Sequence, residues 1–91
     1  MKYDLIVWLH DYSTDPSMIL LEYNSKGEVP RMLEIYKSGK VVLKRAENNI
    51  SVVSGTYPAL DEVETLECTK FRIDQSDFIK RLELVTQVEP V

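Results

Sequence analysis

The chain is poor in the residues that build most chemical sites. Its 91 residues include three glycines, one cysteine, one histidine and one tryptophan. So few glycines, none in a phosphate-loop or dinucleotide pattern, leave little backbone with which to cradle a phosphate. Cys68 stands alone, which excludes an internal disulfide and a cysteine-rich zinc site. A metal site wants about three good ligands, and His10 has no second histidine and no ligand spacing beside it. No metal or other cofactor is therefore expected. No apolar run reaches the roughly 18 residues of a membrane span. Met1-Lys2-Tyr3-Asp4 puts an acid where a secretory signal needs an apolar core. These absences together point to a reducing, cytoplasmic address.

What is present is an ordinary globular composition, 44% apolar and 29% charged, in a length suited to one domain over residues 1–91. The formal charge of −4 is uneven. Residues 1–45 carry seven bases and six acids, whereas residues 46–91 carry four bases and nine acids. Asp61, Glu62, Glu64 and Glu67 fall in one short stretch without a base. Such a balance opposes general nucleic-acid binding, which relies on positive potential to displace counterions. It suits a basic protein partner, or simply a solvated acidic face.

Along the chain, Tyr3 to Leu9 reads as a strand with two apolar faces and hence an interior place in a sheet. Tyr3, Leu5 and Val7 share one face; Ile6, Trp8 and His10 share the other. Residues 11–16 make a turn, with Pro16 holding Asp15 extended. Strands follow at 17–24, 29–37 and 40–45, separated by Asn24-Ser-Lys-Gly27 and Ser38-Gly39. Pro30 lacks a ladder donor, so the third strand begins there or runs along an edge. Ile50 to Val53 offers a short fifth strand. Pro58, Leu60, Val63 and Leu66 suggest a short helix, and Thr69 to Ile73 a brief extended piece with Phe71 and Ile73 inward. Asp74 resembles an N-cap, with Asp77 completing a weak capping box before Phe78, Ile79, Leu82 and Val85. The tail from about Thr86 is expected to fray. The expected fold is α+β: an antiparallel meander of four to five strands, one short helix, and a C-terminal helix packed on one face.

The polar residues that could carry chemistry form one candidate cluster: Trp8, His10, Glu22, Arg31 and Glu34. His10 titrates nearest neutrality, and Glu, Arg and His in one cleft would suit general acid–base hydrolysis. Strand parity works against this, because Arg31 and Glu34 point to opposite faces. Glu22 and Arg31 on neighbouring strands equally suit a cross-strand ion pair. Lys37, Lys40, Lys44 and Arg45 surround one hairpin; they could meet phosphate or guard a strand against edge-to-edge aggregation. No residue is assigned a catalytic role.

Trp8-Leu-His10-Asp11, Asp15-Pro16, Glu22, Arg31-Met-Leu-Glu34-Ile-Tyr36 and Gly39 resemble a family of small bacterial proteins of similar length. Its members share a Met-Lys-Tyr…Trp-x-His-Asp…Pro start and an Arg-x-x-Glu-[Ile/Leu]-[Phe/Tyr]-x-x-Gly strand and turn. Pro30 is an extra residue relative to that pattern. The family implies no activity. By size and acidity the chain is also similar to the immunity proteins encoded beside bacterial toxins, which implies a binding role. The expectation is thus a protein-binding module, most concretely an immunity-type inhibitor that blocks a cognate toxin, with a basic protein partner. Its contact surface would be Asp11, Tyr12, Asp15, Asp61, Glu62, Glu64 and Glu67. The alternatives are a small hydrolase or nuclease using His10 with Glu22 or Glu34, and a homodimeric scaffold joined through the Pro30 strand.

Overall fold

A computed structural model describes residues 1–8, 14–46, 51–52 and 68–90. Among these residues six strands and one helix follow in order: β1 (Lys2–Trp8), β2 (Met18–Tyr23), β3 (Arg31–Ile35), β4 (Val41–Arg45), β5 (Cys68–Ile73), α1 (Gln75–Leu82) and β6 (Gln87–Pro90). They form one six-stranded sheet in the order β5-β1-β2-β3-β4-β6. The fold is α+β.

The consecutive strands β1 to β4 make the expected antiparallel meander. The full sheet is larger and mixed, which corrects the four-to-five-stranded antiparallel expectation. Two additions make the difference. The piece before α1 is a full six-residue strand, β5, paired antiparallel with β1, so β1 is interior as its two apolar faces require. The tail expected to fray instead forms β6, parallel to β4. Thr86 anchors that strand: its N–H and hydroxyl donate to the Val41 carbonyl at 2.9 and 3.2 Å, and its hydroxyl accepts the Val41 N–H at 3.1 Å. A four-residue tail whose side chains are mostly exposed gave no periodic signal, because backbone pairing holds it.

Pro30 lies just before β3, and β3 is paired on both sides. The missing donor therefore falls at a strand start, and a dimer joined through the Pro30 strand has no open edge to use. Of the expected strand at 50–53, the described residues Ser51 and Val52 lie in no strand. Ser51 Oγ accepts the Val29 N–H at 3.0 Å, and the Val52 N–H donates to the Val29 carbonyl at 2.8 Å. The expected helix near residues 58–66 lies outside the described residues. Gly27 and Gly39, with φ of 79° and 91°, supply the left-handed positions of the two hairpin turns.

Each face of the sheet carries a core. Tyr3, Leu20, Leu33, Val41 and Phe78 form one, with Leu5, Ile35, Leu43, Ile73, Leu82 and Val85 packed around them. Ile6, Leu21, Tyr23, Val29, Met32 and Cys68 form the other, joined by Trp8, Ile19 and Val52. The strand periodicity of two sorts these residues as the sequence indicates.

Helix α1 lies on the first face. Asp74 caps it in extended backbone, and Asp77 Oδ2 accepts the Asp74 N–H at 3.2 Å. Lys80 and Arg81 sit in its last turn, where the helix dipole favours cations. Phe78 is fully buried, whereas Ile79, expected inward, is 36% exposed. An eight-residue helix is about 12 Å long, and the four residues Glu83 to Thr86 can add roughly 13 Å. Together they match the roughly 24 Å between strands five places apart. The connection β5-α1-β6 thus straps the sheet from one side to the other. Replacing Phe78 by Ala should remove about 3–5 kcal/mol of stability in urea unfolding; a loss under about 1 kcal/mol would show that α1 is not held by this side chain.

Candidate functional site

The register places Tyr3, Glu22 and Arg31 side by side on three adjacent strands. All three side chains point to the α1 face. Arg31 grips Glu22 with two parallel bonds, Nε to Oε1 at 2.8 Å and Nη2 to Oε2 at 2.6 Å. Tyr3 donates its hydroxyl to Oε2 at 2.9 Å. The guanidinium carbon lies 5.3 Å from the centre of the Phe78 ring, and the Tyr3 ring is 5.2 Å from that ring. The carboxylate is nearly buried, with 7% of its side chain exposed against 30% for Arg31.

Burial alone would raise the Glu22 pKa, but the hydrogen bonds from Arg31 and Tyr3 and the Arg31 charge outweigh it, leaving the carboxyl below its ordinary value. Arg31 is pushed up, first by its bonds to Glu22. Tyr3 is also pushed up, by burial and then by its bond to the carboxylate. At neutral pH the three are therefore a carboxylate, a guanidinium and a phenol. That arrangement stabilises charge and holds no proton ready for transfer.

Glu34 points to the opposite face, as strand parity indicates. It accepts Lys44 Nζ at 3.2 Å and lies 3.5 Å from the Tyr36 hydroxyl. Trp8 shares Glu34's face and packs into the core around Ile6 and Met32. The candidate cluster therefore divides: Glu22 and Arg31 are brought together, Trp8 and Glu34 lie on the other side of the sheet, and His10 lies outside the described residues. Of the candidate contact residues, Asp15 is exposed before β2; Asp11, Tyr12, Asp61, Glu62, Glu64 and Glu67 lie outside the described residues.

The hairpin bases are partly committed as well. Lys44 pairs with Glu34, and Lys40 Nζ sits 4.3 Å above the Tyr36 ring. Arg45 stands opposite Arg31 in the ladder.

A second charged pair escapes sequence reasoning. Asp4 is fully buried and accepts Arg72 Nε at 2.9 Å; Arg72 Nη2 donates to the Tyr23 hydroxyl at 3.0 Å. Burial, then the Asp4 charge, pushes the Tyr23 phenol up. Lys70, 8% exposed, extends from the same strand to the same face. The available signal was Asp4 itself, an acid amid β-formers, but its partner lies 68 residues away on a strand that only the fold brings alongside. Near this pair an open depression of about 370 Å³ is lined by Lys2, Tyr3, Arg72, Asp74 and neighbouring residues.

Among the described residues, no group of three or more His, Cys, Asp or Glu side chains is placed to hold a metal ion, and no helix is long and apolar enough to cross a membrane. No family model matches the chain, and searches of curated proteins and of solved structures found no match.

The depressed Glu22 value fixes the sign of an acid effect. Its stabilisation is fully present above the ordinary carboxylate pKa and is lost as pH falls through the lower folded value. Glu22→Gln should therefore lower stability at pH 7 and flatten that acid limb in urea titrations run at stepped pH. With Arg31 partly exposed, the loss at pH 7 should stay below the about 3–5 kcal/mol of a fully buried broken pair. An unchanged acid limb would show that Glu22 is not the titrating group.

Proposed function

We propose that the protein is a protein-binding module, most concretely an immunity-type inhibitor that binds and blocks a cognate bacterial toxin. The observation that carries this reading is the fate of the acid–base candidates. Glu22 is neutralised by Arg31 and held by Tyr3, and Glu34 is paired with Lys44 on the opposite face. Each carboxylate is thus already engaged by a cation, on opposite faces of the sheet, whereas the hydrolase alternative needs one of them to serve His10, which lies outside the described residues. Ion pairs of this kind hold strands in register and leave recognition to the rest of the surface.

The charge distribution supports a basic partner. The nine acids against four bases of residues 46–91 create a negative field that speeds association with a positive surface. Asp61, Glu62, Glu64 and Glu67, with Asp11, Tyr12 and Asp15, are the proposed contact residues. The similarity to immunity proteins in size and acidity favours the same reading.

Affinity capture of the tagged protein from its own organism, read by mass spectrometry, tests the proposal. The expected result is one stoichiometric basic protein that survives washing. Changing Asp61, Glu62 and Glu64 to Lys should then slow association at least several-fold, with the difference shrinking as salt rises. Recovery of the protein alone would overturn the inhibitor reading. Unchanged association of the triple variant would overturn the placement of the contact surface.

A further inference from the structure

Strand β6 is held differently from the strands it joins. None of its four side chains is buried, and Val88, which stands beside Leu43 in the ladder, is 51% exposed. Strands β2, β3 and β4, by contrast, each carry buried side chains. A side-chain hydrogen bond in β6 is internal: Gln87 Nε2 donates to Glu89 Oε1 at 2.9 Å, and leaving the sheet would not break it. What fastens β6 is backbone pairing in a parallel register, the slightly weaker kind per residue, together with Thr86 at its start. The Thr86 hydroxyl accepts the Val41 N–H at 3.1 Å and donates to the Val41 carbonyl at 3.2 Å. One residue earlier the chain is secured by packing instead, since Val85 lies against the core that holds Phe78.

We propose that residues 86–90 form a detachable clasp, which opens from β4 and closes again while β1 to β5 and α1 stay folded. Such a clasp goes beyond the proposed inhibitor role and does not depend on it. Loss of apolar burial is what makes opening most elements costly, and here little is lost. Local opening draws on the parts of a fold with few buried apolar contacts. The hinge falls between Val85 and Thr86, where packing ends and backbone pairing takes over.

The consequence is a sheet edge that can be covered or bared. The Val41 N–H points to Thr86, so by alternation along the strand the Leu43 N–H also points to β6. The N–H groups of Val42 and Lys44 point the other way, to β3. Opening therefore bares a run of β4 backbone beside the partly buried Leu43 side chain. A bare strand of this kind is a template for an extended segment of another chain.

The same alternation allows a test within one strand. Amide hydrogen exchange on the purified chain, read by NMR at stepped low urea, separates local from global opening. Leu43 and Thr86 should be at least about tenfold less protected than Val42 and Lys44, and should depend little on urea. Ile6→Val weakens the fold at β1, far from β6 in the strand order. It should lower the protection of Val42 and Lys44 about 2- to 10-fold and leave Leu43 and Thr86 unchanged. Thr86→Val removes the hydroxyl at nearly constant shape and leaves the Val41 N–H without its acceptor. The protection of Leu43 should then fall roughly tenfold. Equal protection and urea dependence of all four amides, a shared response to Ile6→Val, or Leu43 exchanging as an open amide overturns the clasp. Leu43 unmoved by Thr86→Val overturns the role of that hydroxyl as its latch.

Discussion

The ion pair between Glu22 and Arg31 is the interaction around which the other elements arrange themselves. A carboxylate with 7% of its side chain exposed needs a charge partner and further donors. Arg31 supplies two bonds and Tyr3 a third, and these come from the strands on either side of β2. A slip of one residue in either pairing would turn these side chains to opposite faces and leave the carboxylate stranded. The pair thus acts as a register lock for β1, β2 and β3. Phe78 packs over the same site, against the Tyr3 ring and the Arg31 guanidinium, so helix placement depends on it too.

The strap from β5 through α1 to β6 follows from that placement. Once Phe78 is seated at the middle of the sheet, the chain on either side of α1 is carried toward β5 and β6. Asp4 and Arg72 fasten β5 to β1, and Thr86 fastens the other end to β4. The polar contacts among the described residues are therefore concentrated at the joins between elements, where a mispairing would be most damaging. These carboxylates thus serve the architecture of the sheet.

The local half of this design was legible in the sequence. The meander β1 to β4, the interior position of β1, the parity that separates Arg31 from Glu34 and the cap at Asp74 all follow from periodicity and turn residues within a short window. The long-range half was not. Strand β5 looked like a short extended piece because its exposed Phe71 and buried Lys70 invert the usual pattern. Strand β6 carried no pattern at all, since its place is set by backbone bonds and by Thr86. Arg31 could be expected to meet Glu22 because a single hairpin joins their strands, whereas Asp4 could not be matched to Arg72 without knowing the strand order. The candidate cluster divided for a reason already visible, namely the period of two along β3.

The account rests on Glu22 and Arg31 acting on each other, as parts of the scaffold. A double-mutant cycle with Glu22→Gln, Arg31→Met and the combined variant, measured by urea unfolding at pH 7, tests this most directly. The account predicts a coupling energy of about 1–3 kcal/mol, with the double variant more stable than the two single losses would sum to. A coupling within about 0.5 kcal/mol of zero would contradict it, and would return both residues to the set of groups available for chemistry.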